Sequence, residues 1–171
     1  RDEFPHRFLN VGVAEANLVT VAAGLAATGF IPFIYSIATF ASMRPFEQIR
    51  NDICLQQRNV KIVGIGAGLA YTTAGPTHHS MEDIALMRAL PHVTIVCPAD
   101  THQCYQATKQ LAKLSGPAYL RLERNPEPTP TTFTPLKFHL GQGQTIASGS
   151  RIALLVTGTK IPLALLISQS L

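Results

Sequence analysis

Residues 8–43, FLNVGVAEANLVTVAAGLAATGFIPFIYSIATFASM, carry one charged side chain, Glu15. Small and apolar residues flank it on both sides, in a pattern that reads as a packed helix between two strands. A carboxylate in such a place must find a partner or hold its proton, because desolvation disfavours the charged form. The segment offers no nearby cation, so the expectation is a proton-holding carboxyl with a raised pKa. Taken alone it is either a satisfied core polar group or a catalytic device.

The elements on either side predict an α/β fold. A short strand pattern over 7–11 leads into Gly12, and 14–28 reads as a helix, rich in Ala and Leu and ended by Gly29. That helix is apolar almost all round, which suits burial on more than one side or against a partner subunit. Residues 30–37 form a strand, Pro45 opens a helix to about residue 56, and 61–65 is the continuous apolar run of a buried parallel strand. A glycine-rich loop, GAGLAYTTAGPT, spans 66–77. Ser80 with Asp83 has the look of a cap opening EDIALMRAL, and Pro91 closes that helix. Strands at 94–97 and 118–122 bracket a helix from the capping-box pair Asp100 and Gln103 to about Leu114. Alternating strands and helices on short loops predict a parallel sheet flanked by helices.

After Arg124 the sequence NPEPTPTTFTP reads as an extended linker, assigned to 125–141. Strands at 142–148 and 152–156 and a helix from 161 then read as the start of a second α/β domain.

Composition limits the remaining classes. With 46% hydrophobic and 14% charged residues among 171, the chain is globular, and no apolar run is long enough for a membrane span. Arg44, Arg50, Arg58 and Lys61 alternate with Glu47 and Asp52, a solvated face and not a nucleic-acid stripe. Cys54, Cys97 and Cys104 lack CxxC spacing, so free buried thiols in a reducing cytoplasm are expected. No metal site is expected either, since His6, His92, His102 and His139 have no ligand spacing with His78 and His79.

Three constellations bear on chemistry. Gly64, Gly66 and Gly68 follow a strand, but the third glycine of a dinucleotide fingerprint would fall at Leu69, which excludes NAD binding. His78 and His79 end the glycine-rich loop just before a helix, a place for proton transfer or anion binding, or simply for loop histidines. Phe40, Met43 and Phe46 recur at intervals of three across a loop-to-helix junction. Such a stripe is core packing or the wall of a flat-ring pocket.

The order NVGVAEAN, ATFASMRPFEQIRND, then AGPTHHSMEDIALMRALPHVTIVCPAD resembles the transketolase family, in particular the pyrimidine-binding domain of the carboxy-terminal subunits of split transketolases. The resemblance implies residues 1–124 as that domain, with its first strand and helix upstream of Arg1, and 142–171 as the start of the family's third domain. It implies thiamine diphosphate as cofactor. Glu15, in the GVxE motif, would hydrogen-bond a ring nitrogen of the aminopyrimidine and favour the tautomer that deprotonates the thiazolium. Phe40, Met43 and Phe46 would line the pyrimidine pocket, with Met43 where a stacking phenylalanine is usual.

His78, on the GPTH histidine, would bind substrate and assist proton transfer, and Arg124 would bind the substrate phosphate. The acidic pair usual before GPTH falls on Thr73 and Ala74, and a second phosphate-contacting histidine falls on Gly66. No GDG…N stretch is present, so the resemblance places Mg2+ or Ca2+ and the diphosphate on a partner subunit, in a homo- or hetero-dimer. The activity implied is transfer of a two-carbon ketol unit between sugar phosphates. A 1-deoxy-D-xylulose-5-phosphate synthase is the alternative, and a 2-oxoacid dehydrogenase subunit fits less well. A non-catalytic dimerisation partner is the reading from another class, against which a buried carboxylate argues.

Overall fold

A computed structural model describes residues 2–124 and 138–171; most of the expected linker lies outside the described residues. Four parallel strands form one sheet in the order β1-β2-β4-β3: β1 Phe33–Ile37, β2 Lys61–Ile65, β3 Thr94–Val96 and β4 Ala118–Leu122. The register aligns Ser36 with Gly64 and Gly64 with Arg121, so β1, β2 and β4 end together on one edge. Helix α1 spans Glu15–Ala27 and α2 Ala38–Ser42. Helix α3, Phe46–Gln48, runs directly into a π-helical turn, Ile49–Cys54. Helices α4 Asp83–Arg88, α5 Thr101–Leu111 and α6 Ile161–Ser168 follow.

Strand alternation sorts the core onto two faces. Ile34, Ile62 and Tyr119 point to one side, where they meet Val19, Ala22 and Ala23 of α1, Ile49 and Ile53 of the π turn, and Met87 of α4. Val63, Val96, Ala118 and Leu120 point to the other, under Ala107 and Leu111 of α5. Each fully buried Leu or Ile here contributes about 1.5–3 kcal/mol. The central strand β2 is buried from Lys61 to Gly64, as a strand covered on both faces must be. Gly64 is required there, because a Cβ would run into the ring of Tyr119.

Several expectations are corrected. Within this chain helix α1 buries one stripe, Glu15, Val19, Ala22 and Ala23, so the chain itself does not cover it on more than one side. Residues 8–14 form no strand; the short turn Pro5–Arg7 precedes them. Residues 142–148 and 152–156 are likewise not strands, and Leu155 is almost fully exposed. A strand pattern needs a neighbour to supply its ladder, and among the described residues none pairs with these. The Asp100 cap holds: its Oδ1 accepts from the Gln103 amide at 2.7 Å, while Gln103 Oε1 accepts from Ala99 N.

Asp83 is not a helix cap. It is fully buried, and its Oδ2 accepts from Tyr119 Oη at 2.8 Å and from Arg121 Nε at 2.9 Å. Burial lowers the Arg121 pKa, but the hydrogen bond and charge of Asp83 outweigh it and hold the guanidinium firmly charged. Nor is Lys61 on a solvated face. Its Nζ is buried and donates to the carbonyls of Leu114 and Gly116 at 2.8 and 2.6 Å, and burial lowers its pKa to about 8. The three cysteines are free. Cys54 is fully buried, which raises its pKa to about 11, whereas Cys97 and Cys104 are half-buried.

No helix among the described residues is long and apolar enough to cross a membrane.

Candidate active site

In an open parallel sheet, groups that act on ligands gather at the carboxyl ends of the strands, where the connecting loops converge. Here β1 runs into α2, β2 runs into the loop of residues 66–82, and β4 runs into Glu123 and Arg124. Two short 3-10 turns, Thr72–Ala74 and Pro76–His78, shape the loop after β2. A two-way bridge closes it, with Gly68 N donating to Ser80 O and Ser80 N to Gly68 O, both at 2.9 Å. Thr39 Oγ1 donates to His79 O at 3.1 Å and ties α2 to this loop. Arg121 Nη2 reaches Ser80 O at 3.3 Å and ties it to β4.

Glu15 opens α1 at this edge. Ser36 Oγ, at the end of β1, donates to its Oε1 at 3.4 Å, and Arg44 Nη1 donates to its Oε2 at 2.8 Å. The carboxylate has found a partner and does not hold a proton, which corrects the sequence expectation. Burial raises its pKa, but the Arg44 hydrogen bond and charge, its own backbone N–H and Ser36 together bring it below the ordinary value. Arg44 is exposed, as the sequence predicts, and also pairs with Glu15. Its position on the turn between α2 and α3 lets its side chain fold back over the site.

The remaining contacts form a continuous string of flat groups. The Arg44 guanidinium lies over the Phe40 ring, 4.2 Å from its centroid. Phe40 meets His78 edge-on, centroids 5.1 Å apart. His78 lies 6.2 Å from Tyr71, and the Arg124 guanidinium stands 4.9 Å from the Tyr71 centroid. Thr77 Oγ1 engages His78 Nδ1 at 3.0 Å, so this contact leaves the other ring nitrogen, Nε2, uninvolved.

Four of the six residues selected from sequence, Glu15, Phe40, His78 and Arg124, thus join one string. Phe46 does not: it packs against the core cluster under α1. Met43 lies between them, on the turn, with its N donating to Thr39 O at 3.0 Å and its O accepting from Phe46 N at 3.3 Å. Residues 43–45 form a turn between α2 and α3, so the three side chains do not share one helical face.

Sequence reasoning missed Arg44 and Tyr71. The sequence carries no signal for Tyr71 beyond the glycine at 66; in the structure Gly66 has φ +74°, and a Cβ there would strike the Tyr71 ring. The glycine that replaces the expected histidine is the space into which Tyr71 packs.

A parallel sheet with a buried, ion-paired glutamate and a histidine loop at its carboxyl edge defines an α/β domain of the kind that binds ligands at that edge. Residues 1–128 match the transketolase pyrimidine-binding domain, and the chain belongs to that family.

The chain is 39% identical over 169 residues to the 6-deoxy-6-sulfo-D-fructose transketolase subunit SqwH of Clostridium sp. (strain MSTE9), covering 99% of this chain and 52% of that one. It is 35% identical over 159 residues to an apulose-4-phosphate transketolase subunit of Phocaeicola vulgatus, covering 93% and 51%. It is 34% identical over 169 residues to a 1-deoxy-D-xylulose-5-phosphate synthase of Oleidesulfovibrio alaskensis, covering 98% and 26%. The chain therefore spans about half the length of the two transketolase subunits. Among solved structures, a split-gene transketolase described as an inactive beta4 tetramer superposes with a TM-score of 0.87 at 40% identity, covering 99% of this chain and 54% of that one. The resemblance to split transketolases is borne out by these matches.

Proposed function

We propose that this chain supplies the pyrimidine half of a thiamine-diphosphate site in an enzyme that transfers a two-carbon ketol unit between sugar phosphates. Residues 1–124 are the pyrimidine-binding unit, and 142–171 begin a further domain. The observation that carries the proposal is the string from Glu15 through Arg44, Phe40, His78 and Tyr71 to Arg124 at the carboxyl edge of the sheet.

The residues fit the cofactor's aminopyrimidine end. Arg44 demonstrates that a flat, N–H-bearing group can stack on Phe40 and hydrogen-bond Glu15 at once. When bound, thiamine diphosphate supplies the carbanion chemistry. Glu15 holds the ring-nitrogen edge and manages its proton, Phe40 packs a face of the ring, and Met43 adds a thioether contact. His78 exchanges a proton with the substrate's hydroxyl or carbonyl oxygen through Nε2. Arg124 holds the substrate phosphate with its forked donors. Among the described residues no group of three acidic, histidine or cysteine side chains could hold a metal ion. The divalent ion and the diphosphate are assigned to a diphosphate-binding partner subunit.

A second reading, 1-deoxy-D-xylulose-5-phosphate synthase, is favoured by the 34% identity to such an enzyme. The two separate in one experiment: the chain is combined with the diphosphate-binding subunit, thiamine diphosphate and Mg2+, then supplied with ketose phosphates or with pyruvate. Ketol transfer from the ketose selects the transketolase. Release of carbon dioxide from pyruvate selects the synthase, and no cofactor-dependent turnover selects a non-catalytic partner.

A further inference from the structure

Arg44 touches the two groups that would hold the aminopyrimidine. Its Nη1 donates to Glu15 Oε2 at 2.8 Å, and its guanidinium carbon lies 4.2 Å from the Phe40 centroid. A guanidinium is planar and nitrogen-rich, presents N–H donors in its own plane and stacks through its face. An aminopyrimidine shares those features: a flat nitrogen ring with a face for stacking and an in-plane edge for a carboxyl group. One side chain therefore covers both the edge contact and the face contact of the proposed site.

We propose that Arg44 is a built-in competitor for the aminopyrimidine, a stand-in that the incoming ring must displace, and so a residue that sets the affinity of the site. This inference rests on the reading of Glu15 and Phe40 as cofactor contacts.

The asymmetry of the pair supports displacement of the arginine and not of the glutamate. The Arg44 side chain is 49% exposed, whereas that of Glu15 is 8% exposed. Arg44 sits on the turn between α2 and α3, so its side chain can swing into water without unwinding a helix. Glu15 begins α1 and is held from a second side by Ser36 Oγ at 3.4 Å, so its carboxylate stays in place when the guanidinium leaves. Occupation of both contacts by Arg44 lowers the apparent affinity of any ring that needs them, in proportion to the fraction of time the arginine is seated.

The role extends to selectivity. A ligand that can stack on Phe40 but cannot satisfy the carboxylate leaves Glu15 buried without the partner it had, at the cost of an unpaired charge. A ring that offers a protonated or N–H-bearing edge to Glu15 replaces what it removes. Arg44 thereby favours rings that satisfy both contacts over those that satisfy one.

The test is a titration of the full chain, assembled with its diphosphate-binding subunit and Mg2+, with thiamine diphosphate by calorimetry. Wild type, Arg44→Ala and Arg44→Lys are compared, with circular dichroism confirming that each is folded. We expect Arg44→Ala to bind about three- to thirtyfold more tightly and Arg44→Lys to fall between, because lysine keeps the charge but loses the plane. Millimolar ethylguanidinium, which restores the missing group in trans, weakens binding to Arg44→Ala and leaves wild type unchanged. Equal or weaker binding by folded Arg44→Ala, with no effect of ethylguanidinium, overturns the competitor role while the cofactor reading of Glu15 and Phe40 stands. If neither wild type nor the variants bind thiamine diphosphate, the cofactor reading itself fails and the competitor falls with it.

Discussion

Phe40 and His78, one on the helix after β1 and the other on the loop after β2, meet edge to face with ring centroids 5.1 Å apart. This contact joins the half of the site that would hold the cofactor ring to the half that would hold the substrate. Its geometry depends on the loop of residues 66–82 being fixed from both sides, by Thr39 through His79 O and by Arg121 through Ser80 O.

Asp83 anchors that loop from below. It has no exposure, and it holds both Tyr119 and Arg121 on one oxygen. Asp83→Ala leaves Arg121 buried without its counter-charge and is expected to cost about 3–5 kcal/mol of unfolding free energy. Tyr119→Phe removes one hydrogen bond only and is expected to cost about 1–3 kcal/mol. Urea unfolding of the two variants checks the order; equal losses would mean that the ion pair contributes nothing beyond the tyrosine bond.

Lys61 gives the stability a pH dependence of known sign. Its folded pKa, about 8, lies below the ordinary value of 10.5 because of burial. Below about pH 8 both folded and unfolded states carry the proton and Lys61 adds no slope. Between about 8 and 10.5 the unfolded state binds more protons, so stability rises with pH through this residue. Denaturant unfolding of wild type against Lys61→Met over that window isolates the contribution. Wild type should gain relative to the variant as pH rises, and a constant difference would contradict the assignment.

Gly66 is held at φ +74°, with the Tyr71 ring against it. Gly66→Ala both strains the backbone and evicts the ring, and a loss of about 1–3 kcal/mol is expected. Because Arg124 stacks on that ring, the variant should also bind phosphorylated substrate less well. The double change Gly66→Ala with Tyr71→Ala should recover part of the stability and none of the substrate affinity, which thermal unfolding and KM together report.

Arg124 is exposed, with its guanidinium over the Tyr71 ring. Loss of its charge-assisted bonds in Arg124→Met should raise KM for a phosphorylated donor about tenfold to a hundredfold, with kcat nearly unchanged. An unphosphorylated donor should show no change. Equal effects on both donors would remove the phosphate role.

Much of this was legible in the sequence, for identifiable reasons. The strand at 61–65 is visible because a parallel strand buried on both faces needs an unbroken apolar run. The α5 start is visible because Asp100 and Gln103 carry their own local hydrogen bonds. What failed depended on partners far away in the chain. Asp83 has cap spacing from Ser80, but Tyr119 and Arg121 claim its carboxylate. Lys61 looks like a member of a mixed surface run, yet carbonyls beyond α5 satisfy it; Arg44 does lie on that exposed run, and only its pairing with Glu15 was invisible in sequence. The raised pKa expected of Glu15 failed for the same reason, since a lone charge in sequence need not be alone in space. The stripe of Phe40, Met43 and Phe46, expected across a loop-to-helix junction, spans two short helices and the turn between them, with Phe46 against the core.

The most direct test of the account is Glu15→Gln in the assembled enzyme. Glutamine keeps the size and hydrogen-bonding reach of the side chain but removes its charge and its capacity to take up and return a proton. The half-exposed Arg44 loses little by it, about 0–1 kcal/mol. The account predicts that folding and association with the diphosphate-binding subunit are retained while cofactor-dependent ketol transfer falls by about 10²–10⁴-fold. Wild-type turnover in Glu15→Gln would contradict it.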